Sequence, residues 1–294
     1  MKKTILIQLD TDPHPSVFDA VVAIDSQIDH LLQYGGITTE NVESLVHGAM
    51  FTRGPDDLQR TAIFVGGSDV VRGEEVLERV TQCFFGPIRV SVMMDANGAN
   101  TTAAAAVIAA ERHLPLANTT FTVLAATGPV GSRIAFLLAQ RGAHVRVVSR
   151  RQARAEEVCE RLRNSVEDAN VEPMAASTQP EIQATLEGAA GFFAAGAAKV
   201  QLAASETWQS IDSLKVAIDL NAVPPAGIEG VELTDKAVEK SGVACYGPIG
   251  VGGTKMKIHR AALASLFTAN DRVLDAAAIY QIGRDLESKS VTAP

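Results

Sequence analysis

The chain has 294 residues, of which 47% are hydrophobic and 20% charged, with a net charge of −8. That is the composition of an ordinary globular protein, and the length is enough for two domains. An acidic chain with 5% aromatics and one tryptophan suits neither nucleic acid nor an anionic membrane surface, and it offers few rings for a sugar platform. Cys83, Cys159 and Cys245 are an odd number without zinc-site or CxxC spacing, so they read as reduced core thiols. The six histidines are scattered and no HExxH occurs, so no metal is expected. Residues 1–3 lead directly into a strand-like run too short for a signal peptide or a span, and a cytoplasmic location is expected.

Taken in chain order, the pattern alternates strand and helix. Residues 4–9 predict a strand ending at Asp10-Thr11-Asp12. Residues 16–29 predict a helix, with Ser16 as N-cap and Val17, Val21, Ile24 and Ile28 on one face. A strand at 61–65 closes on Gly66-Gly67, a helix follows at 69–84, and a third strand at 88–94 ends at Asp95. The alanine-rich stretch 100–113 reads as a helix leaving this first domain. The second domain starts near Thr119, and its later strands are expected at 191–195, at 216–218 ending in Asp219, and near 243–245. Glycine-rich 247–253 is expected to be a loop before a basic helix at 255–269. A helix at 275–287 would close the chain, with 288–294 frayed. The fold class is therefore α/β, with a smaller domain at 1–101, a larger one at 102–270, and 271–294 returning to the first.

The most informative stretch is Phe121-Thr122-Val123-Leu124-Ala125-Ala126-Thr127-Gly128-Pro129-Val130-Gly131, followed by a helical pattern at 132–141. An apolar strand, a glycine turn and a helix together hold a dinucleotide pyrophosphate on the first helical amides. The G-x-G-x-x-G pattern would place glycine at 126, where Ala126 stands; alanine suffices if that position needs no positive φ. The next strand, 145–148, ends in Ser149-Arg150-Arg151. An acidic residue at this tip would bind a ribose 2′-hydroxyl, whereas two guanidinium groups suit a 2′-phosphate. The expected coenzyme is NADP, with NAD the weaker alternative. Its contacts are expected from Ala126, Thr127, Gly128, Pro129, Val130 and Gly131, and from Ser149, Arg150 and Arg151. Ala195, Gly196, Asn221 and Ala222, at the ends of two later strands, complete that set.

Two further clusters could hold a substrate. Asp10, Asp12 and Asp95 end strands of the first domain, where open parallel sheets bind ligands. The run Asp95-Ala96-Asn97-Gly98-Ala99-Asn100-Thr101-Thr102 combines a carboxylate, two amides and two hydroxyls, which can read a polar heterocycle or form an Asx turn with Asn100 or Thr101 as a helix N-cap. In the other cluster, Gly247 to Arg260, Lys255 and Lys257 start a helix against its dipole, which favours a ligand-facing role.

These clusters in this order resemble the NADP-dependent methylene-tetrahydromethanopterin dehydrogenases. The resemblance is carried by Leu9-Asp10-Thr11-Asp12, Pro15-Ser16-Val17-Phe18-Asp19, Phe51-Thr52-Arg53-Gly54 and Ala62-Ile63-Phe64-Val65-Gly66-Gly67. It continues in the 95–102 loop, Thr127-Gly128-Pro129-Val130-Gly131, Asn221-Ala222-Val223-Pro224-Pro225 and the 250–260 segment. It implies a pterin domain and a Rossmann-type NADP domain flanking a cleft, and a homo-oligomer such as a trimer or hexamer. On that resemblance Asp10, Asp12, Asp95, Asn97, Asn100, Thr102, Lys255 and Lys257 would contact the pterin. Lys257, Asp95 and Asp19 would act nearest the reacting carbon, with Lys257 preferred to Lys255 as the lysine facing the pterin ring. The reaction would move a hydride from the methylene carbon to nicotinamide C4, with no general acid or base.

A tetrahydrofolate-linked dehydrogenase–cyclohydrolase, a shikimate-dehydrogenase-like enzyme and a non-catalytic NADP sensor remain open. A short-chain dehydrogenase is excluded, because the residues four after Tyr34, Tyr246 and Tyr280 are Thr38, Gly250 and Arg284 rather than lysine.

Overall fold

The computed structural model describes residues 2–292. It divides into two units. The first holds the chain up to Thr101 and again from Met256; the second is Thr102–Lys255. The second crossing comes at Met256 rather than at the expected 271, inside a continuous helix that offers no break in sequence to mark it.

In the first unit the order is β1 (Ile5–Asp10), α1 (Val17–Asp25), β2 (His30–Tyr34), α2 (Val42–Phe51), β3 (Thr61–Gly66), α3 (Val70–Gln82) and β4 (Ser91–Met94), and α4 (Ala99–Glu111) leads the chain out of it into the second unit. Local chemistry sets the helix starts. Ser16 Oγ accepts the Asp19 N–H (3.2 Å), and Asp69 Oδ1 accepts those of Val71 and Arg72 (3.0 and 3.2 Å). In α3, Val70, Gly73, Val76 and Val80 form the buried stripe. The expected strand at 88–94 is paired only from Ser91, because Phe85 and Ile88 bridge to each other first.

The second unit runs β5 (Thr120–Leu124), α5 (Pro129–Gln140), β6 (His144–Ser149), α6 (Gln152–Ser165), β7 (Val171–Ala175), α7 (Gln179–Leu186), β8 (Gly191–Ala194), α8 (Ser205–Trp208), β9 (Val216–Asp219), β10 (Lys236–Lys240) and β11 (Val243–Tyr246). A helix, α9 (Pro248–Ser265), carries the chain back to the first unit, which ends with β12 (Val273–Leu274) and α10 (Ala276–Thr292). Residues 288–292, expected to fray, continue α10, while 293 and 294 lie outside the described residues.

Both sheets are wound to two sides. The first has the order β12-β4-β3-β1-β2 and is parallel throughout. The second has the order β10-β11-β9-β8-β5-β6-β7, parallel except for β10. Strand order reverses beside β1 in one and beside β5 in the other. At these switch points two loops leave in opposite directions and open a crevice at the carboxyl ends of the strands. The second sheet rests on a core of Phe192, Trp208, Leu214, Ile228 and Cys245, each at most 1% exposed.

Candidate functional site

In the second unit the site begins at the tip of β5. Ala125 has φ +57° and makes the turn, while Ala126 is fully buried with an ordinary φ. Alanine at 126 is therefore no obstacle, since the left-handed position is one residue earlier. The three landmarks of the turn do different jobs. A Cβ on Gly131 would meet Ala125 O at 2.7 Å and Ala126 Cα at 2.9 Å, so Gly131 lets α5 pack onto the strand tip. A Cβ on Gly128 would lie at ordinary contact distance, 3.5 Å from Ala125 O and 3.7 Å from Ala195 O. The protein does not need glycine at 128 for its own packing; the bare backbone leaves the room a pyrophosphate would fill at the start of α5. Pro129 at the first turn of α5 gives up no needed amide.

Next to this turn lies a cavity of about 480 Å³, lined among others by Thr127, Ser149, Arg150, Arg151, Arg154, Gly196 and Leu202. Ser149 is buried at the tip of β6, and Arg150 and Arg151 are exposed at the rim. Arg151 is the N-cap of α6, whose first turn holds no acidic residue and has no side-chain cap. Three arginines at a helix N-terminus oppose the helix dipole, so stability does not explain them; an anion would. Arg154 is the residue that sequence reasoning missed. It follows Arg151 at helical spacing, which is the signal that could have found it. Its guanidinium also bonds Glu157 (2.9 Å). Ala176, Ile182 and Val200 supply an apolar wall suited to a flat base. The glycine cradle and the arginine cluster together fit a dinucleotide with a phosphorylated ribose.

Past β8 and β9 the backbone is held by side chains. Ala195 and Gly196 follow β8 and are half-buried, and Asn221 and Ala222 follow β9. Asn221 is 3% exposed: its Nδ2 donates to Pro225 O (2.8 Å) and its Oδ1 accepts the Val223 N–H (3.1 Å). Asp219 accepts the N–H of Asn221 and of Ile228, and burial pushes its carboxyl up from the ordinary value against those bonds. Burial likewise pushes the thiols of Cys159 and Cys245 up to about 11, which makes them unreactive core groups.

In the first unit the tips of β1, β3 and β4 meet. Asp10 is 1% exposed: Oδ1 accepts the Asp12 N–H (3.0 Å) and Oδ2 the Ser16 N–H (3.0 Å). Asp12 receives Ser68 N–H and Oγ–H, both at 2.9 Å. Gly67, at φ +119°, has Thr11 Oγ1 where a Cβ would lie, 1.9 Å away, and its carbonyl accepts the Asn97 N–H (2.6 Å). Asn97 itself sits at φ +54° with its side chain exposed. Asp95 is fully buried. Oδ1 accepts the N–H of Asn100 and Thr101 (2.9 and 3.0 Å), and Oδ2 the Thr101 hydroxyl (2.6 Å). Asp95 thus caps α4 itself, where the sequence had offered Asn100 or Thr101 as the cap. Asn100 is 2% exposed and its Nδ2 donates to Met94 O (2.6 Å). Thr102 is half-buried in the first turn of α4, and Asp19 is half-buried in the first turn of α1.

The glycine-rich segment is not a loop. Helix α9 starts at Pro248 and includes Gly250, Gly252 and Gly253. A Cβ on Gly247 would lie 2.0 Å from Glu232 O, and one on Gly250 1.8 Å from Asp235 O. These two glycines serve close packing against the chain before β10, not the approach of a ring. Lys255 and Lys257 lie two turns into α9, so the dipole argument for them does not hold. Lys257 is exposed and Lys255 half-buried. Two residues on, His259 Nδ1 is 4.0 Å from Asp95 Oδ2 and its ring stacks on Phe64 at 5.9 Å, which sets this turn of α9 beside the β4 tip. Among the described residues no three His, Cys, Asp or Glu side chains gather as metal ligands do, and no helix is long and apolar enough to cross a membrane.

Comparison with known proteins agrees with this geometry. The family model for the N-terminal part of methylene-tetrahydromethanopterin dehydrogenase matches residues 17–97, the segment from α1 to the β4 tip. The bifunctional protein MdtA of Methylorubrum extorquens is 42% identical over 97% of this chain and 100% of its own length. The NAD(P)-dependent methylenetetrahydromethanopterin dehydrogenase of that organism is 31% identical over 79% of this chain and 80% of its own. Among solved structures, the shikimate 5-dehydrogenase of Listeria monocytogenes, determined with shikimate and NAD, aligns with 97% of this chain and 96% of its own at a TM-score of 0.54. At 13% identity that likeness is one of fold.

Proposed function

The chain belongs to the methylene-tetrahydromethanopterin dehydrogenase family, and from that premise we propose that it oxidises 5,10-methylene-tetrahydromethanopterin reversibly, with NADP as hydride acceptor. The observation that carries the coenzyme choice is the cluster of Arg150, Arg151 and Arg154 at the N-terminus of α6, beside the cavity. Bound NADP would supply a hydride acceptor at nicotinamide C4. The methylene carbon loses H⁻ while a neighbouring nitrogen lone pair closes to C=N, so the neutral N–CH2–N ring becomes an amidinium cation as the positive charge of the oxidised nicotinamide is lost. No proton is gained or lost at that carbon.

The protein's own residues then need to bind, orient and exclude water rather than shuttle protons. Gly128 to Gly131 and the start of α5 hold the pyrophosphate, and Ser149 with the three arginines holds the 2′-phosphate. Thr127, Ala195, Gly196, Asn221 and Ala222 flank the remainder of the coenzyme. The first unit, up to Thr101 and again from Met256 onward, is the pterin domain. There Asn97 and Lys257, both exposed, contact the head group. Asp95, Asp10 and Asp12 act on the pterin by holding the loops, Asn100 by holding the start of α4, and Thr102 contacts the pterin from the first turn of that helix. Asp19 faces the developing cation, and Lys255 is the secondary lysine. The rest of the reading is a cytoplasmic homo-oligomer, trimeric or hexameric.

The test is absorbance at the NADPH band with methylene-tetrahydromethanopterin and, in parallel, methylene-tetrahydrofolate. Faster reduction with the methanopterin substrate is expected. A higher kcat/KM with the folate substrate would reassign the carrier, and no reduction with either would remove the one-carbon reading.

A further inference from the structure

One buried carboxylate shapes the wall of the coenzyme cavity without lining it. Asp219 ends β9 and is 1% exposed. Its Oδ1 accepts the Asn221 N–H (2.9 Å) and its Oδ2 the Ile228 N–H (3.0 Å), so both ends of the 220–228 loop are tied to one side chain. A Cβ on Gly227 would lie 2.6 Å from Oδ1, so the loop packs directly on the carboxylate. The loop then orders its neighbour. Gly227 O accepts the N–H of Leu202 (2.8 Å) and Ala203 (3.0 Å), and Val223 O accepts that of Lys199 (3.4 Å). Gly196, Ala197, Val200 and Leu202 of this neighbouring segment line the cavity that Arg150, Arg151 and Arg154 also line.

We propose that Asp219 is a positioning residue for the coenzyme. It ties down the 220–228 loop and, through the Gly227 carbonyl, fixes the 196–202 wall against which the dinucleotide binds. The inference rests on the coenzyme reading of the cavity. The chemistry requires a carboxylate, because two buried amides on opposite sides of the loop each need an acceptor oxygen. An asparagine offers one oxygen and turns an NH₂ toward the other amide, leaving a buried donor unmet.

The test is Asp219→Asn in the full chain, with Gly227→Ala as the second variant because its Cβ presses on the same carboxylate from the loop side. Two readouts need no turnover. The first is amide hydrogen exchange in coenzyme-free protein, where Lys199, Leu202 and Ala203 should exchange roughly tenfold faster or more while β1, β3 and β4 are unchanged. The second is calorimetric titration with NADP, whose Kd should rise roughly tenfold. In turnover, KM for NADP should rise with Kd, while kcat and KM for the pterin stay within about twofold at saturating NADP. Faster exchange at those amides with an unchanged NADP Kd in both variants would overturn the proposal and leave Asp219 a purely structural residue. A rise confined to the pterin KM would overturn it too. A wild-type protein that binds no NADP would remove the coenzyme reading itself, which is a different outcome from a wild type that binds NADP and variants that bind it equally well.

Discussion

The place of Arg150 and Arg151 beside the cavity was legible because a strand tip can be named from sequence. Arg154 and Asp219 were harder, since spacing says where a residue lies along its element but not which cavity or backbone amide its side chain meets. Asp95 shows the same limit. Its place at the end of β4 was read correctly, but only the fold reveals that both oxygens are occupied by Asn100 and Thr101 of α4. The residue-scale prediction concerns the rim. Arg150→Glu sets a negative charge beside the 2′-phosphate position and should lower the NADP preference, as the ratio of kcat/KM with NADP to that with NAD, by roughly ten- to a thousandfold. Arg154→Ala should move it in the same direction by less, because the guanidinium is shared with Glu157. Unchanged ratios in both variants would place the 2′-phosphate elsewhere.

Glycines illustrate the scale of elements. The pattern around 128–131 correctly announced a strand, a turn and a helix, yet it could not separate glycine kept for packing from glycine kept for a ligand. The distances separate them. Gly131→Ala forces a Cβ to 2.7 Å from the Ala125 carbonyl and should destabilise the fold by about 1–3 kcal/mol, read by urea unfolding. Gly128→Ala meets only ordinary contacts, so stability should hold within about 0.5 kcal/mol while KM for NADP rises roughly tenfold. The opposite assignment of effects would contradict the cradle described for the pyrophosphate. Segment 247–253 was misread for a physical reason. Glycine lowers helix propensity, but Gly247 and Gly250 are required by the backbone carbonyls of Glu232 and Asp235, and tertiary packing overrides propensity. The strands left unassigned, β2, β7, β10 and β12, are the edge strands of the two sheets, with few buried residues and little apolar alternation to read.

For the molecule as a whole, the fold class and the two-unit plan followed from the repeated alternation of apolar strand and amphipathic helix. The point at which the chain re-enters the first unit did not, because α9 continues through it. Each unit carries its own sheet, parallel but for β10, and its own switch point, and the residues flagged from sequence follow several strands: Gly128 after β5, Arg150 after β6, Asn221 after β9 and Asp95 after β4. The shikimate dehydrogenase likeness comes from this shared architecture, while substrate chemistry follows the loops at the strand tips. The central claim is that the hydride passes directly from the methylene carbon to NADP. It is tested by preparing the methylene substrate with deuterium at that carbon, running the reaction in ordinary water, and examining C4 of the NADPH by proton NMR. Direct transfer predicts that each NADPH formed carries one deuterium at C4. NADPH free of deuterium, or a pterin unoxidised in the presence of bound NADP, would contradict it.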